Sequence, residues 1–411
     1  MQKRIFLLML ALLLLVGMGL VSLAPMTVQA IGEVTPTPEP LISPPAETID
    51  VSQTLSDGFL SMQNGDLDEG IALFTAAIQA ESDNAEAYML RALAYGTAEQ
   101  FQAAIADITV SINLLPETYH SDRAVVFPLT EWFLYTLRGN MYVELNDNAL
   151  AMADYDAALR LSPSSDNDIT FASRAELNTT LGDTAAAEID DLIARAMSAM
   201  NGGNLENARA LFAQATDTGQ RTPSVAIAYY NLAVLNTFEG NTAAAIQDYT
   251  ESLNINPEMH IAYLARGIAF REAQDMVSAA QDFYNRMTIL GTEFVDTTAT
   301  IGAGIEIAMD YQRVVRIRFE GTAGDSVTLS AREVVAIETD PLIVLLDPNG
   351  NPIAGDDDFG GNLDSLIEDF ELPMTGTYIL MVSHAEGGYA AGFDGMIRVA
   401  LENCPATGSC I

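Results

Sequence analysis

The chain has 411 residues and a formal net charge of −38 at pH 7, because 56 Asp and Glu residues outnumber 18 Lys and Arg residues. An acidic surface of this size repels nucleic acid and anionic lipid, which excludes both as partners. The hydrophobic content of 49% is too high for a disordered acidic tail, and the length exceeds that of one ordinary core. We therefore expect a folded protein with two domains.

The N-terminus has the pattern of an export signal. The basic start MQKR precedes the apolar run Ile5–Ala24, and Val28 and Ala30 form a site that a signal peptidase can cut. We predict a signal peptide over 1–30, and an uncleaved anchor is the alternative because the run is long enough to span a bilayer. The folded part is expected outside the cytoplasm, secreted or at the cell surface. Any membrane attachment is expected through this segment alone.

The stretch 31–49 is predicted to be a linker. Five prolines fall within VTPTPEPLISPPAET, Val34–Thr48. They oppose helix and sheet and favour an extended polyproline-II conformation. The stretch predicts either a stalk or an unstructured N-terminus of the mature chain.

Residues 50–290 repeat one helical pattern. A small residue is followed twelve positions later by a second small residue, and four positions after that by an aromatic or aliphatic residue. Spacings of 3 and 4 place residues on one helix face, so the small residues let two helices cross closely. The five clearest sets are Gly58, Gly70 and Phe74; Ala92, Ala104 and Ile108; Gly139, Ala151 and Tyr155; Ala233, Ala245 and Tyr249; and Gly267, Ala279 and Phe283.

This block resembles the tetratricopeptide repeat family, whose 34-residue unit is a helix–turn–helix with small and aromatic residues at such positions. The resemblance implies an all-α solenoid of six to seven repeats, because one helix pair cannot bury its apolar face alone. The register breaks where Ala175 and Ala196 lie only 21 residues apart. This offset predicts a degenerate unit whose second helix runs into the first helix of the next unit.

In that family the first helix of each repeat lines a concave groove. The residues at groove-facing offsets include Met89, Leu93, Tyr230, Val234, Leu264 and Ile268. They predict a semi-apolar groove for a protein or peptide ligand, and the alternative is that they pack against neighbouring segments. The family's best-known pocket clamps a C-terminal carboxylate with Lys, Asn and Arg. That mode is not expected here, because the repeats contain no lysine.

The C-terminal part changes to short runs that alternate apolar and polar residues. These runs are VVRIRFEG, DSVTLSARE, PLIVLLDP, SLIEDFEL, GTYILMVSHA and GMIRVALE. Turn clusters separate them and no helical segment intervenes, so an antiparallel all-β sandwich is expected over 301–402, with 291–300 as the linker before it.

This region resembles the pre-peptidase C-terminal domain, a jelly-roll-like module. The resemblance is carried by GTAGDSVTLSA (Gly321–Ala331), DPLIVLLDPNGNPIAGDDD (Asp340–Asp358) and TGTYILMVS (Thr375–Ser383). The tail 403–411 contains Cys404 and Cys410, the only two cysteines. In an oxidising compartment they are expected to close a short disulfide loop.

One acidic stretch is a candidate calcium site. Its oxygen-bearing residues are Asp347, Asn349, Asn351, Asp356, Asp357 and Asp358. The spacing Asp-x-Asn-x-Asn resembles the start of a helix-flanked calcium loop, although Pro352 stands where that loop has glycine and the stretch lies between strands. The alternative is a hairpin turn at DPNGN followed by a solvated acidic loop.

Catalytic motifs are absent from the sequence. It has three histidines, far apart, and no HExxH, GxSxG, GxxxxGK or GxGxxG pattern in a suitable context. We therefore expect a non-enzymatic, exported interaction scaffold that needs no cofactor other than possible calcium. The alternative is a cell-surface or matrix attachment protein, with the sandwich as the binding module and the repeats as a spacer.

Overall fold

The computed structural model describes residues 49–118, 129–162, 167–291, 293–302, 304–309, 313–334, 340–358, 364–385 and 395–403. The predicted signal peptide, nearly all of the proline-rich linker and both cysteines lie outside these residues. The described part contains thirteen helices followed by nine strands, which confirms the predicted all-α repeats and all-β region. None of its helices combines the length and apolar character that crossing a membrane requires. The chain divides into two compact units, 1–154 and 155–411.

The helices occupy nearly all of the described residues up to 290. They are α1 Val51–Asn64, α2 Leu67–Ala80, α3 Ala85–Thr97, α4 Phe101–Thr118, α5 Glu131–Glu144, α6 Asn148–Leu161, α7 Asp168–Leu181, α8 Thr184–Asn201, α9 Leu205–Thr216, α10 Pro223–Phe238, α11 Thr242–Ile255, α12 His260–Glu272 and α13 Met276–Leu290.

Polar caps and left-handed residues divide the helices. The side chains of Asp50, Asn84 and Asp183 accept hydrogen bonds from backbone N–H groups in the first turns of α1, α3 and α8. Such caps satisfy donors that a helix start leaves free. Gly65 and Gly182 adopt φ of 90° and 86° in the turns after α1 and α7, a conformation that glycine adopts without strain.

The small residues stand where helices cross. A Cβ on Gly58 would lie 2.7 Å from the ring of Phe74, and a Cβ on Gly267 would lie 2.5 Å from the ring of Phe283. Both distances are too short for real carbon contacts. The spacing of sixteen residues between glycine and aromatic therefore reflects one kind of packing contact, seen at Gly58–Phe74 and at Gly267–Phe283.

The phase break has a structural cause in α8. This helix packs against α7 before it and against α9 after it. It serves as the second helix of one pair and the first helix of the next. The offset of 21 residues arises because one helix belongs to two successive helix pairs.

The nine strands form two sheets. They are β1 Glu293–Thr298, β2 Gly304–Met309, β3 Arg313–Gly321, β4 Ser326–Glu333, β5 Pro341–Leu346, β6 Pro352–Asp356, β7 Ser365–Glu371, β8 Gly376–His384 and β9 Gly395–Asn403. One sheet has the order β1-β3-β8-β5-β6 and the other the order β2-β9-β4-β7. Apolar side chains of both sheets form one core between them, as in a sandwich.

Strand β1 occupies most of the stretch that the sequence predicts as a linker. It pairs parallel to β3, whereas the other described strand pairs are antiparallel. Its side chains are mostly exposed, so it lacks the burial alternation by which the other strands are recognised. Ion pairs from Glu293 to Arg313 and from Asp296 to Arg316 support the pairing.

Helix α13 covers the outer face of the five-stranded sheet. Its residues Phe283 and Met287 share an apolar cluster with Leu342 and Val344 of β5. Strand β5 is consequently buried on both faces along its whole length. This double burial explains why PLIVLL is a continuous apolar run and does not alternate.

Candidate functional site

The predicted groove residues lie on the first helices of three repeats, α3, α10 and α12. Met89 and Leu93 of α3 are buried in the core of the first unit, and Tyr230 of α10 is buried with its ring centroid 5.7 Å from that of Tyr249. The structure therefore places these three residues in the core instead of on an open groove. The physical reason is that first helices flank other helices directly, since α1 contacts α3 and α8 contacts α10.

The other predicted groove residues remain partly accessible. Val234 of α10 and both Leu264 and Ile268 of α12 are half-buried. Phe238, which the sequence analysis did not single out, is 84% exposed at the end of α10. Residues four apart share a helix face, so Val234 and Phe238 form one pair and Leu264 and Ile268 form another. Leu264 and Ile268 also pack against the apolar cluster that α13 forms with the sheet. We call these four residues, two on each of two helices, the apolar strip.

Arginine–aspartate pairs form a second recurring feature. Arg91 donates from Nε and Nη2 to the two carboxylate oxygens of Asp107 over 2.7 and 2.8 Å. Such two-point, charge-assisted pairs are strong and directional. The same sixteen-residue pairing recurs in the described residues at Arg138–Asp154, Arg174–Asp190 and Arg266–Asp282.

Each arginine also reaches beyond its own helix pair. Arg266 donates from Nη1 to Thr250 of the preceding pair over 3.0 Å, and its guanidinium lies 5.8 and 5.6 Å from the ring centroids of Tyr263 and Phe270. The arrangement joins successive helix pairs and uses the arginine's donors internally. Sequence analysis missed it, although each arginine stands directly before the first small residue of its repeat.

The repeat that contains Ala233 has a leucine in place of this arginine. Leu232 stands sixteen residues before Asp248, and Asp248 instead accepts a hydrogen bond of 2.7 Å from Asn236. Asn236 in turn accepts one of 2.9 Å from Arg209 of α9. Burial raises the pKa of Asp248 above its ordinary value, and the bond from Asn236 and the charge of Arg209 oppose that rise. Helix α9, which precedes α10, thus supplies the replacement cation.

The predicted calcium residues separate into three sets with different partners. The carboxylate of Asp347 accepts hydrogen bonds of 2.8 Å from the backbone N–H groups of Asn349 and Asn351 and of 3.0 Å from the Asn351 amide. These three residues build the turn between β5 and β6. Asp356 pairs with Arg271 over 2.8 Å and accepts from the Leu366 N–H over 2.9 Å.

The remaining two aspartates meet a third one. Carboxylate oxygens of Asp357, Asp358 and Asp340 all lie within 4.8 Å of one another. Asp340 and Asp357 are buried, whereas Asp358 is exposed. The sequence places Asp340 in the same acidic stretch, but only the pairing of β5 with β6 brings it to the other two.

Family models agree with the repeat geometry. A tetratricopeptide repeat model matches residues 60–110, 193–258 and 239–292, and a second tetratricopeptide repeat model matches residues 134–165. The chain contains tetratricopeptide repeats over these residues. No curated protein matches it significantly.

Solved structures similar to the chain include the TPR2AB-domain:pHSP90 complex of yeast Sti1, with 16% identity and a TM-score of 0.28 over 58% of this chain and 90% of that chain. A tetratricopeptide repeat protein from Parabacteroides merdae has 19% identity and a TM-score of 0.29 over 58% and 93% of the two chains. The pre-peptidase C-terminal domain of collagenase from Bacillus anthracis has 15% identity and a TM-score of 0.22 over 26% and 93%.

Proposed function

We propose that this tetratricopeptide repeat protein is a non-catalytic adaptor that binds a protein or peptide partner outside the cytoplasm. Tetratricopeptide repeats are a protein-interaction module, and the fold is typically non-catalytic. The proposed location rests on the export signal in the sequence.

The observation that carries this proposal is the exposed end of the apolar strip. Phe238 is 84% exposed, and Val234 on the same helix face is half-buried. Covering an aromatic ring this open to water with a partner lowers the free energy of the complex. Exposed apolar groups that cluster typically mark interaction sites.

Charge defines the class of partner. The net charge is −38, and four of the arginines are engaged in buried or half-buried aspartate pairs. The field around the strip therefore favours basic or neutral partners and repels acidic ones. We expect apolar contacts to dominate, so capture depends only weakly on salt.

The experiment is capture of partners from a secreted-protein extract by the full chain. Phe238→Ser and Ile268→Ser should each reduce capture strongly and leave circular dichroism unchanged. The matched control is Val277→Ser on α13, which removes an apolar side chain that is 64% exposed outside the strip. If both strip variants capture the same partners as the parent, the binding surface lies elsewhere and the attachment function of the sandwich becomes the better proposal.

A further inference from the structure

Strand pairing brings three aspartates to one end of the five-stranded sheet. Asp340 directly precedes β5, and Asp357 and Asp358 directly follow β6. Because β5 and β6 run antiparallel with Ile343 opposite Asp356, the start of one strand lies beside the end of the other. The Ser365 hydroxyl donates to the carbonyl of Pro341 over 2.5 Å and is 3.0 Å from the carbonyl of Asp356, which ties the two strand ends together.

The oxygen spacing suits a single cation. Calcium binds oxygens at about 2.3–2.6 Å, so two oxygens on opposite sides of the ion stand about 5 Å apart. The three carboxylates here present oxygens within 4.8 Å of one another. Asp358 is exposed, which leaves a path from solvent to the two buried carboxylates.

One buried carboxylate oxygen in this cluster, Oδ1 of Asp357, lacks a hydrogen-bond donor among the described residues. Asp357 is 3% exposed, and its Oδ1 accepts no hydrogen bond from any residue that the structure describes. A buried carboxylate oxygen without a donor is costly, and either a proton or a cation relieves the cost. Burial, assisted by the charge of Asp358, raises the pKa of Asp357 to about 7 despite the opposing charges of Arg286 and Arg271.

The nearby positive groups are engaged elsewhere. Arg271 pairs with Asp356, and Arg286 donates from Nη1 to the backbone carbonyl of His384 over 2.9 Å. His384 Nε2 accepts from the backbone N–H of Asp340 over 3.4 Å. Negative charge therefore remains in excess among the three carboxylates, which is the electrostatic condition for a divalent cation.

We propose that Asp340, Asp357 and Asp358 form a calcium site at the joined ends of β5 and β6. The all-oxygen donor set selects a hard cation, and water completes the larger, flexible coordination shell that calcium accepts and magnesium does not. This donor set differs from that predicted from sequence, because Asp347, Asn349 and Asn351 build a turn and Asp356 binds Arg271.

The experiment titrates calcium chloride into the metal-free full chain at pH 8, with calorimetry for affinity and melting temperature for stability. Calcium should raise the melting temperature, because an ion that binds only the folded state stabilises it. Asp358→Asn should weaken calcium binding by about tenfold or more, since affinity follows the number of charged ligands. Asp358 is exposed, so the Asp358→Asn variant should fold like the parent. The corresponding variant of the buried Asp340 could fail to fold, which is why Asp358 is the position to test.

The matched control is Asp347→Asn. This variant should have a lower melting temperature, because it weakens the hydrogen bonds that build the turn. Calcium should still raise its melting temperature as much as it raises the parent's. An Asp358→Asn variant that binds calcium like the parent would overturn the site, as would a parent with no calcium response. Loss of the response in Asp347→Asn alone would place binding at the turn and also overturn it. An equal response to magnesium chloride would refute the choice of calcium.

Discussion

Two buried titratable groups beside Arg286 respond to pH in opposite directions. Burial, with the charge of Arg286 as a second cause, lowers the pKa of His260 to about 4, whereas burial raises the pKa of Asp357 to about 7. Between about pH 4 and pH 7, Asp357 is protonated in the folded state and ionised in the unfolded state. The stability of the fold therefore falls as pH rises through this range. For His260 stability is lost as pH falls from about 6.5 to about 4.

The pH dependence contributed by Asp357 predicts a specific result for the variant Asp357→Asn. The free energy of unfolding of the variant, minus that of the parent, should rise between pH 4 and pH 7 and then level off. The total change should be about 4 kcal/mol, because the pKa of Asp357 lies about 3 units above its ordinary value and each unit corresponds to about 1.4 kcal/mol. Urea unfolding at several pH values in calcium-free buffer measures it. A difference that is flat with pH would show that Asp357 is ionised throughout.

The arginine–aspartate pairs allow a second prediction at the same scale. Arg266→Leu copies the leucine that the repeat of Leu232 carries, but it leaves Asp282 buried without its cation. Removing one partner of a buried ion pair costs about 3–5 kcal/mol. Urea unfolding should show this loss, and the double variant Arg266→Leu with Asp282→Asn should recover part of it. A single variant as stable as the parent would show that the pair is energetically neutral.

At the scale of the helix, the crossing glycine sets a steric limit. Gly267→Ala places a methyl group 2.5 Å from the Phe283 ring, so the helices must shift. We expect a loss of about 1–3 kcal/mol from overpacking. The control is Gly202→Ala, where the nearest atom to a new Cβ is 3.4 Å away and φ is −77°. Thermal unfolding compares them, and equal melting temperatures would reject the crossing.

Helical spacing predicted much of the first part of the fold, because the packing signal lies within 34 residues. The same spacing could not show what covers a face, so Tyr230 and Met89 were assigned to a groove although they are core residues. Six strands were predicted from apolar patterns. Strand β1 was not, because its pairing with β3 depends on backbone contacts and on arginines such as Arg313 twenty residues away.

The candidate calcium site illustrates the same limit. Sequence placed the acidic residues in one stretch, and Asp357 and Asp358 were named from it. It could not separate carboxylates that build a turn, such as Asp347, from those that meet across strands. That distinction depends on the β5–β6 register, which places Asp340 beside them.

At the scale of the whole molecule, the sheet and the last helix pair depend on each other. A chain ending at Gly291 would expose Phe283 and Met287, which the sheet covers in the full chain. We expect this truncation to lower the melting temperature of the repeats and to increase binding of a hydrophobic dye. Calorimetry and dye fluorescence test this. An unchanged melting transition would mean that the repeats do not need the sheet.

Because the sheet covers α13, it also limits the positions at which repeats can be added to the array. Repeat arrays need a cap at each end, because an uncapped apolar face meets water. Here the sheet is the C-terminal cap, and it is matched to this particular helix pair through Arg271 and Arg286. A duplicated repeat inserted after α13 would separate those arginines from Asp356 and His384. We therefore expect whole repeats to be gained or lost only upstream of α12, with the last pair kept together with the sheet.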